Sequence, residues 1–213
     1  MGKALVVTRP AYEVTTHYLF YWSSLPLVLA RKSGISIVEL VKDRVTRKEF
    51  ESIVSKVDPS FIYLNGHGGS KYIMGQYNEI LIQADDNEST LSSRIVYALS
   101  CSSAQILGPK SISAGAKAYI GYKEDFMFIG DHHNVARPLN DKTAALFFEP
   151  SNIVVETLLK GHTVLEAYKK SQDEFNRNIN SLLSSSSPDY YLISWLVWDR
   201  IHQVYLGDKT ARI

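Results

Sequence analysis

The stretch FIYLNGHGGS, residues 61–70, opens as a short run of β-branched, aromatic and aliphatic residues and then breaks into glycines around His67. A second stretch has the same form: IVYALSCSSA, residues 95–104, runs apolar as far as Ser100 and then reaches Cys101, the only cysteine in the chain. Apolar runs of this length, bounded by turn residues, read as strands buried on both faces of a parallel sheet. Ligands in open α/β sheets sit outside the carboxyl ends of the strands. Sequential strands are usually neighbours, and neighbours lie about 4.8 Å apart. The two runs therefore predict an imidazole and a thiol at one sheet edge, flanking one groove.

That pairing has a chemistry. A thiolate is a strong nucleophile, and an imidazole can take the thiol proton and later hand it to a departing amine. Gly68 and Gly69 leave bare backbone after the histidine. The N–H groups of Gly68 and Cys101 are then the expected oxyanion donors, each worth about 3 kcal/mol in other hydrolases.

Outward from these runs the same alternation continues. ALVVT (4–8), ISIVELV (35–41) and AKAYIGY (116–122) read as further strands. Residues 14–33 read as a helix bent near Pro26 and closed by Gly34. Thr46 with Glu49 reads as a capping box ahead of a short helix. KYIMG and EILIQ, joined by QYN, form an expected hairpin, and NESTLSS a single helical turn. Residues 123–140 look irregular. Helical patterns cover about 140–160 and 162–183, SSSSPD (184–189) reads as a loop, and YLISWLVWDRIHQVYLG as one or two closing strands. The expected fold is α/β: a mostly parallel sheet of about six strands, helices on both faces, and one domain over residues 1–213.

Bulk properties narrow the class. Of 213 residues, 45% are hydrophobic and 21% charged, and the net charge of +1 comes from interspersed acids and bases. No nucleic-acid stripe is expected. The N-terminus lacks a signal peptide's apolar stretch, no run of about 18 apolar residues implies a membrane span, and a single cysteine fits a reducing compartment. The expectation is a cytoplasmic protein bound to neither membrane nor nucleic acid.

YLNGHGG (63–69) and YALSCSSA (97–104) resemble the His-Gly and Cys motifs of the caspase-like cysteine peptidases, the group of caspases, metacaspases, gingipains, clostripain, separase and CHAT domains. SISAGAKAYIGYKEDF (111–126), GHTVLEAYKKS (161–171) and VYLGDKTARI (204–213) resemble the later motifs of CHAT and gingipain-type members, with Lys209 where a proline is usual. The resemblance implies a three-layer caspase-like fold with a small β-hairpin after the histidine. It also implies a Cys-His dyad of Cys101 as nucleophile and His67 as general acid/base, with Gly68 as oxyanion donor. Metacaspases and clostripain-like enzymes carry an Asp two places before the nucleophile, where this chain has Leu99. A substrate-pocket residue is therefore sought elsewhere: Glu124 and Asp125 just past the fifth strand, or Arg9, where caspases place an arginine that reads an acidic side chain. The implied partners are a peptide or protein substrate and an activating protein or a second copy of the chain.

Other features weigh less. In Asp131-His132-His133, adjacent side chains are expected to diverge, so no metal site is assigned. Gly-His-Gly-Gly has no P-loop lysine and no following helix, so no cofactor is expected. His17, His162 and His202 read as structural, and Trp195 and Trp198 as core or rim aromatics of the last strands. Two rival functions remain. One is a non-catalytic caspase-like interaction module, which an electrophilic peptide probe would leave unlabelled. The other is a flavodoxin-like binding domain, which would hold His67 and Cys101 more than about 10 Å apart.

Overall fold

The computed structural model describes residues 4–184 and 188–213. Five parallel strands carry the fold: β1 (Ala4–Arg9), β2 (Ser36–Val41), β3 (Phe61–Asn65), β7 (Ile95–Leu99) and β8 (Ala118–Tyr122). β9 (Gln203–Gly207) closes the sheet antiparallel to β8, giving the order β2-β1-β3-β7-β8-β9. A separate three-stranded hairpin sheet, β4 (Gly68–Gly69), β5 (Tyr72–Met74) and β6 (Ile80–Gln83), follows the third strand directly.

The period of two along each strand divides the core. Leu5, Val7, Phe61, Tyr63, Ile95 and Tyr97 face one layer of helices: α1 (Val14–Trp22), α2 (Ser24–Lys32), α5 (Lys142–Leu159), α6 (Val164–Ser184) and α7 (Ile193–His202). Their alternates Val6, Ile62, Leu64, Val96 and Ala98 face α3 (Arg47–Val57), α4 (Leu107–Ser113) and the hairpin. Burying each such side chain is worth about 1.5–3 kcal/mol, so residues that alternate in sequence hold both layers at once.

Two prolines each remove a helix hydrogen bond, and each freed carbonyl is satisfied in the same way. The chain bends at Ser23, upstream of Pro26, which lacks the N–H that would bond the Trp22 carbonyl. That carbonyl accepts instead from Asn152 Nδ2 at 2.9 Å. Pro150, inside α5, frees the Leu146 carbonyl, which accepts from Asn178 Nδ2 at 2.9 Å. The expected single bent helix is therefore two helices.

Two further expectations are corrected. YLISWLVWDRIH is not a strand: Pro188–Leu192 is a 3-10 turn and Ile193–His202 is α7, leaving only β9. Leu192, Leu196, Asp199 and Gln203 are buried at steps of four, three and four, a helical stripe that an aromatic-rich run conceals. Trp195 and Trp198 accordingly lie on a helix. Residues 107–113, assigned no element from sequence, form α4, with Pro109 tolerated in its first turn. Of the expected loop 184–189, residues 185–187 lie outside the described residues. Among the described residues no helix is long and apolar enough to cross a membrane.

Candidate active site

β3 and β7 pair in register, Asn65 opposite Leu99. His67 and Cys101 each lie two residues past that pair, so the strands deliver both to one level of the sheet edge. Each exit is fixed locally. Asn65 is clamped to the end of β1, its N–H on Thr8 Oγ1 at 2.9 Å and its Nδ2 on the Thr8 carbonyl at 2.9 Å. Gly66 turns the chain at φ +150, where a Cβ would stand 2.2 Å from the Met74 carbonyl oxygen, so only glycine fits. The Met74 N–H donates to the His67 carbonyl at 2.8 Å, fixing the histidine backbone against the hairpin. On the other strand, Ser102 sits at φ 53, a left-handed conformation costing about 1 kcal/mol. It is held there by its N–H on the Glu124 carbonyl at 3.0 Å and its hydroxyl on Asp125 Oδ1 at 2.8 Å.

The two exits meet. A Cβ on Gly68 would lie 2.1 Å from Ser100 Oγ and 3.1 Å from the Cys101 carbonyl oxygen, so the bare backbone after the histidine packs directly on the cysteine turn. His67 and Cys101 line one narrow cavity of about 20 Å³, walled by Thr15, Leu19, Phe126 and Phe128.

A third residue joins them that the sequence reading passed over. Glu13 caps α1, its carboxylate accepting from the Thr15 and Thr16 N–H groups at 2.8 and 2.6 Å. The oxygen that takes the Thr16 bond, Oε1, also stands 3.2 Å from His67 Nε2. Burial works against its charge, but the hydrogen bonds from Thr16 and Thr15 and the His67 ring hold its carboxyl below the usual range. The only sequence signal was an acid at a helix start, 54 residues from the histidine.

The fold as a whole has a counterpart among solved structures. One chain in the structure of the complex of Porphyromonas gingivalis RgpB pro- and mature domains aligns over 100% of this chain and 48% of its own, with a TM-score of 0.63 and 10% identity. The chain thus spans about half the length of that protein. This chain has the caspase-like fold. Iotapain, a secreted C11 cysteine protease from Bacteroides thetaiotaomicron, aligns over 59% of this chain and 53% of its own at a TM-score of 0.38 and 12% identity. A scan against protein-family models and a search of curated proteins give no match.

Within this caspase-like frame the thiol is half-buried. Burial first, then the neighbouring Asp125 carboxylate, push it from an ordinary 9.0 up to about 11. Its hydrogen-bond partner is the Phe126 carbonyl, 4.0 Å from Sγ. The segment after β8 forms the cover. Its Asp125 carbonyl accepts from Trp198 Nε1 at 2.9 Å, and its Met127 N–H donates to Asp199 Oδ1 at 2.8 Å. Asp199 is 0% exposed, and its second oxygen has no partner. Burial drives its carboxyl well above the ordinary range, against the Met127 hydrogen bond. Asp199 also lies near enough to the thiol to add to its upward shift.

The pocket candidates separate. Asp125 stands beside the thiol, while the Glu124 carboxylate is turned to Gln105 Nε2 at 3.3 Å. Arg9 is elsewhere. It is 8% exposed, bonded to Glu39 at 2.5 Å and to the Phe20 carbonyl at 2.6 Å, and it lies over the Phe20 ring at 4.2 Å. It ties β1 to β2 and α1 and presents no free guanidinium to a ligand. His17 lines a groove, described below, rather than the core.

Proposed function

We propose that the chain is a cysteine endopeptidase held in a closed resting conformation. The observation that carries this reading is the shared register: His67 and Cys101 leave adjacent parallel strands at the same level and line one cavity. His67 Nε2 stands 3.2 Å from Glu13 Oε1; in this reading ionised Glu13 accepts the Nε2–H, the tautomer that leaves Nδ1 unprotonated to act as base. In the reaction, Nδ1 takes the Cys101 proton as Sγ attacks the scissile carbonyl carbon. The tetrahedral oxyanion receives N–H donors from Gly68 and Cys101. Collapse of the intermediate breaks the C–N bond, His67 protonates the departing amine, and water then hydrolyses the thioester by the same proton route. The Gly68 assignment has support in the hairpin. The Met74-to-His67 hydrogen bond makes 67/74 a bonded pair, and ladder alternation then leaves the Gly68 N–H outside it.

At about 11, roughly one thiol in 10⁴ is ionised at pH 7. Activation in this reading is displacement of the cover at 124–130, by a peptide, a protein partner or cleavage within residues 123–140. Asp125, once its Ser102 bond is released, is the acid available to a basic side chain of the substrate. The raised thiol pKa and the narrowness of the cavity also favour a second reading, a non-catalytic interaction module of the same fold. Peptidyl acyloxymethyl ketones separate the two. The peptidase is labelled at Cys101, more strongly after limited proteolysis across 123–140, and His67→Ala abolishes labelling while leaving the fold intact. Failure of a varied peptide panel to label Cys101 even after that proteolysis would establish the interaction module instead.

A further inference from the structure

Beside the His67 cavity runs a larger groove of about 650 Å³, lined by Tyr12, Glu13, Val14 and His17 on one side and by His132 and His133 on the other. The second wall is built for rigidity. Asp141, 1% exposed, accepts from both the Tyr18 hydroxyl and the Asp131 N–H at 2.7 Å through one carboxylate oxygen. Its other oxygen caps α5 through the Thr143 and Ala144 N–H groups. The turn that begins at Asp131 is thereby fastened to α1 and α5. Asp131 then folds its own successors: Oδ1 accepts from the His133 N–H at 3.0 Å and Oδ2 from Asn134 Nδ2 at 2.8 Å.

This 3-10 turn overturns the sequence expectation that adjacent histidines diverge. The His132 and His133 ring centroids lie 3.8 Å apart, and one donor atom from each of Asp131, His132 and His133 falls within 4.8 Å of the others. Two donors on one metal at about 2.1 Å can stand at most about 4.2 Å apart. A small turn of the rings closes that gap, and His132, with its side chain 83% exposed, is free to make it. Each Asp131 oxygen keeps a lone pair beyond the hydrogen bond it accepts.

We propose that Asp131, His132 and His133 bind a first-row transition-metal ion of the zinc(II) class, with an open coordination position turned to the groove beside His67. Two imidazoles and one carboxylate select such an ion over calcium or magnesium, which take oxygen ligands. Three protein ligands leave the fourth place to water or to a donor entering the groove. A third imidazole, His17, faces the same space.

Calorimetric titration of the intact chain with zinc(II), and absorption spectra with cobalt(II), test this. The expected result is one ion per chain and a cobalt spectrum without sulfur charge transfer. Cys101→Ala should keep the affinity, and His132→Gln/His133→Gln should lose at least about tenfold, the smallest loss that removal even of an outer partner causes. Binding unaffected by the double variant, a thiolate band that disappears with Cys101→Ala, or no binding at all would each overturn the proposal. None of these readouts depends on peptidase activity.

Discussion

At the scale of single residues, Glu13 does two jobs with one carboxylate, and the jobs can be separated. Glu13→Gln keeps an oxygen for the Thr15 and Thr16 N–H groups but loses the charge that favours an Nε2-protonated ring on His67. The expected outcome is a fall of at least about tenfold in kcat with KM little changed, and a loss of only about 1 kcal/mol in denaturant unfolding. A fall in stability with kcat unchanged would leave Glu13 as a helix cap alone. The thiol gives a second residue-scale test. Its native pKa lies above its ordinary 9.0, so the resulting stability is complete below pH 9 and lost as pH rises through about 11. Alkylation of intact protein by iodoacetamide should therefore rise with a midpoint near 11. Phe126→Ala, which opens the cover, should move that midpoint down. Cys101 and His67 were legible in the sequence because each ends a strand in small residues. Glu13 was not, because a helix-capping acid looks the same whether or not a histidine folds against it.

At the scale of elements, the two prolines show how local defects are repaired from a distance. Asn178 bonds a carbonyl that is free only because Pro150 lacks an N–H. Asn178→Ala should cost about 1–3 kcal/mol by urea unfolding, the penalty of a buried acceptor left bare. In a Pro150→Ala background the same change should cost less, since the helix then supplies its own donor. Equal costs in both backgrounds would show that the asparagine serves some other purpose. The strands were readable because full burial leaves unbroken apolar runs, and α5 and α6 because their patterns are long. α7 was misread because its aromatic and β-branched residues carry strand character, and of its two buried residues, Leu196 and Asp199, one is an acid that a hydrophobic pattern cannot register. α4 escaped because Gly108-Pro109 sits inside its first turn.

At the scale of the whole molecule, Asp199 joins the α7 layer to the cover over the thiol, and its protonation should be felt in global stability. Its native carboxyl binds its proton above the ordinary 3.8. The stability owed to that proton is complete below pH 3.8 and lost as pH rises. Asp199→Asn carries no such titration, so its urea midpoint should exceed that of the unaltered chain by a margin that widens from pH 4 to pH 7. A margin that stays flat would mean that Asp199 is not held neutral. The mostly parallel sheet of about six strands and its two-sided helical packing followed from alternating strand and helix patterns, whereas the order β2-β1-β3-β7-β8-β9 is set by tertiary pairing. The closing of the cleft did not, since it depends on tertiary bonds from Trp198 and Asp199 into an irregular segment. The register of Asn65 opposite Leu99 has a last consequence, for how the chain tolerates length change. Trimming or extending the hairpin tips or the 3-10 turn at Glu88–Leu91 alters neither strand end, so the imidazole and the sulfur keep their phase. Sliding β3 against β7 by two positions would carry them apart by about 6.6 Å along the strand axis while preserving every inward-facing side chain on its own face. Such an indel would leave a well-folded protein with its chemistry out of step.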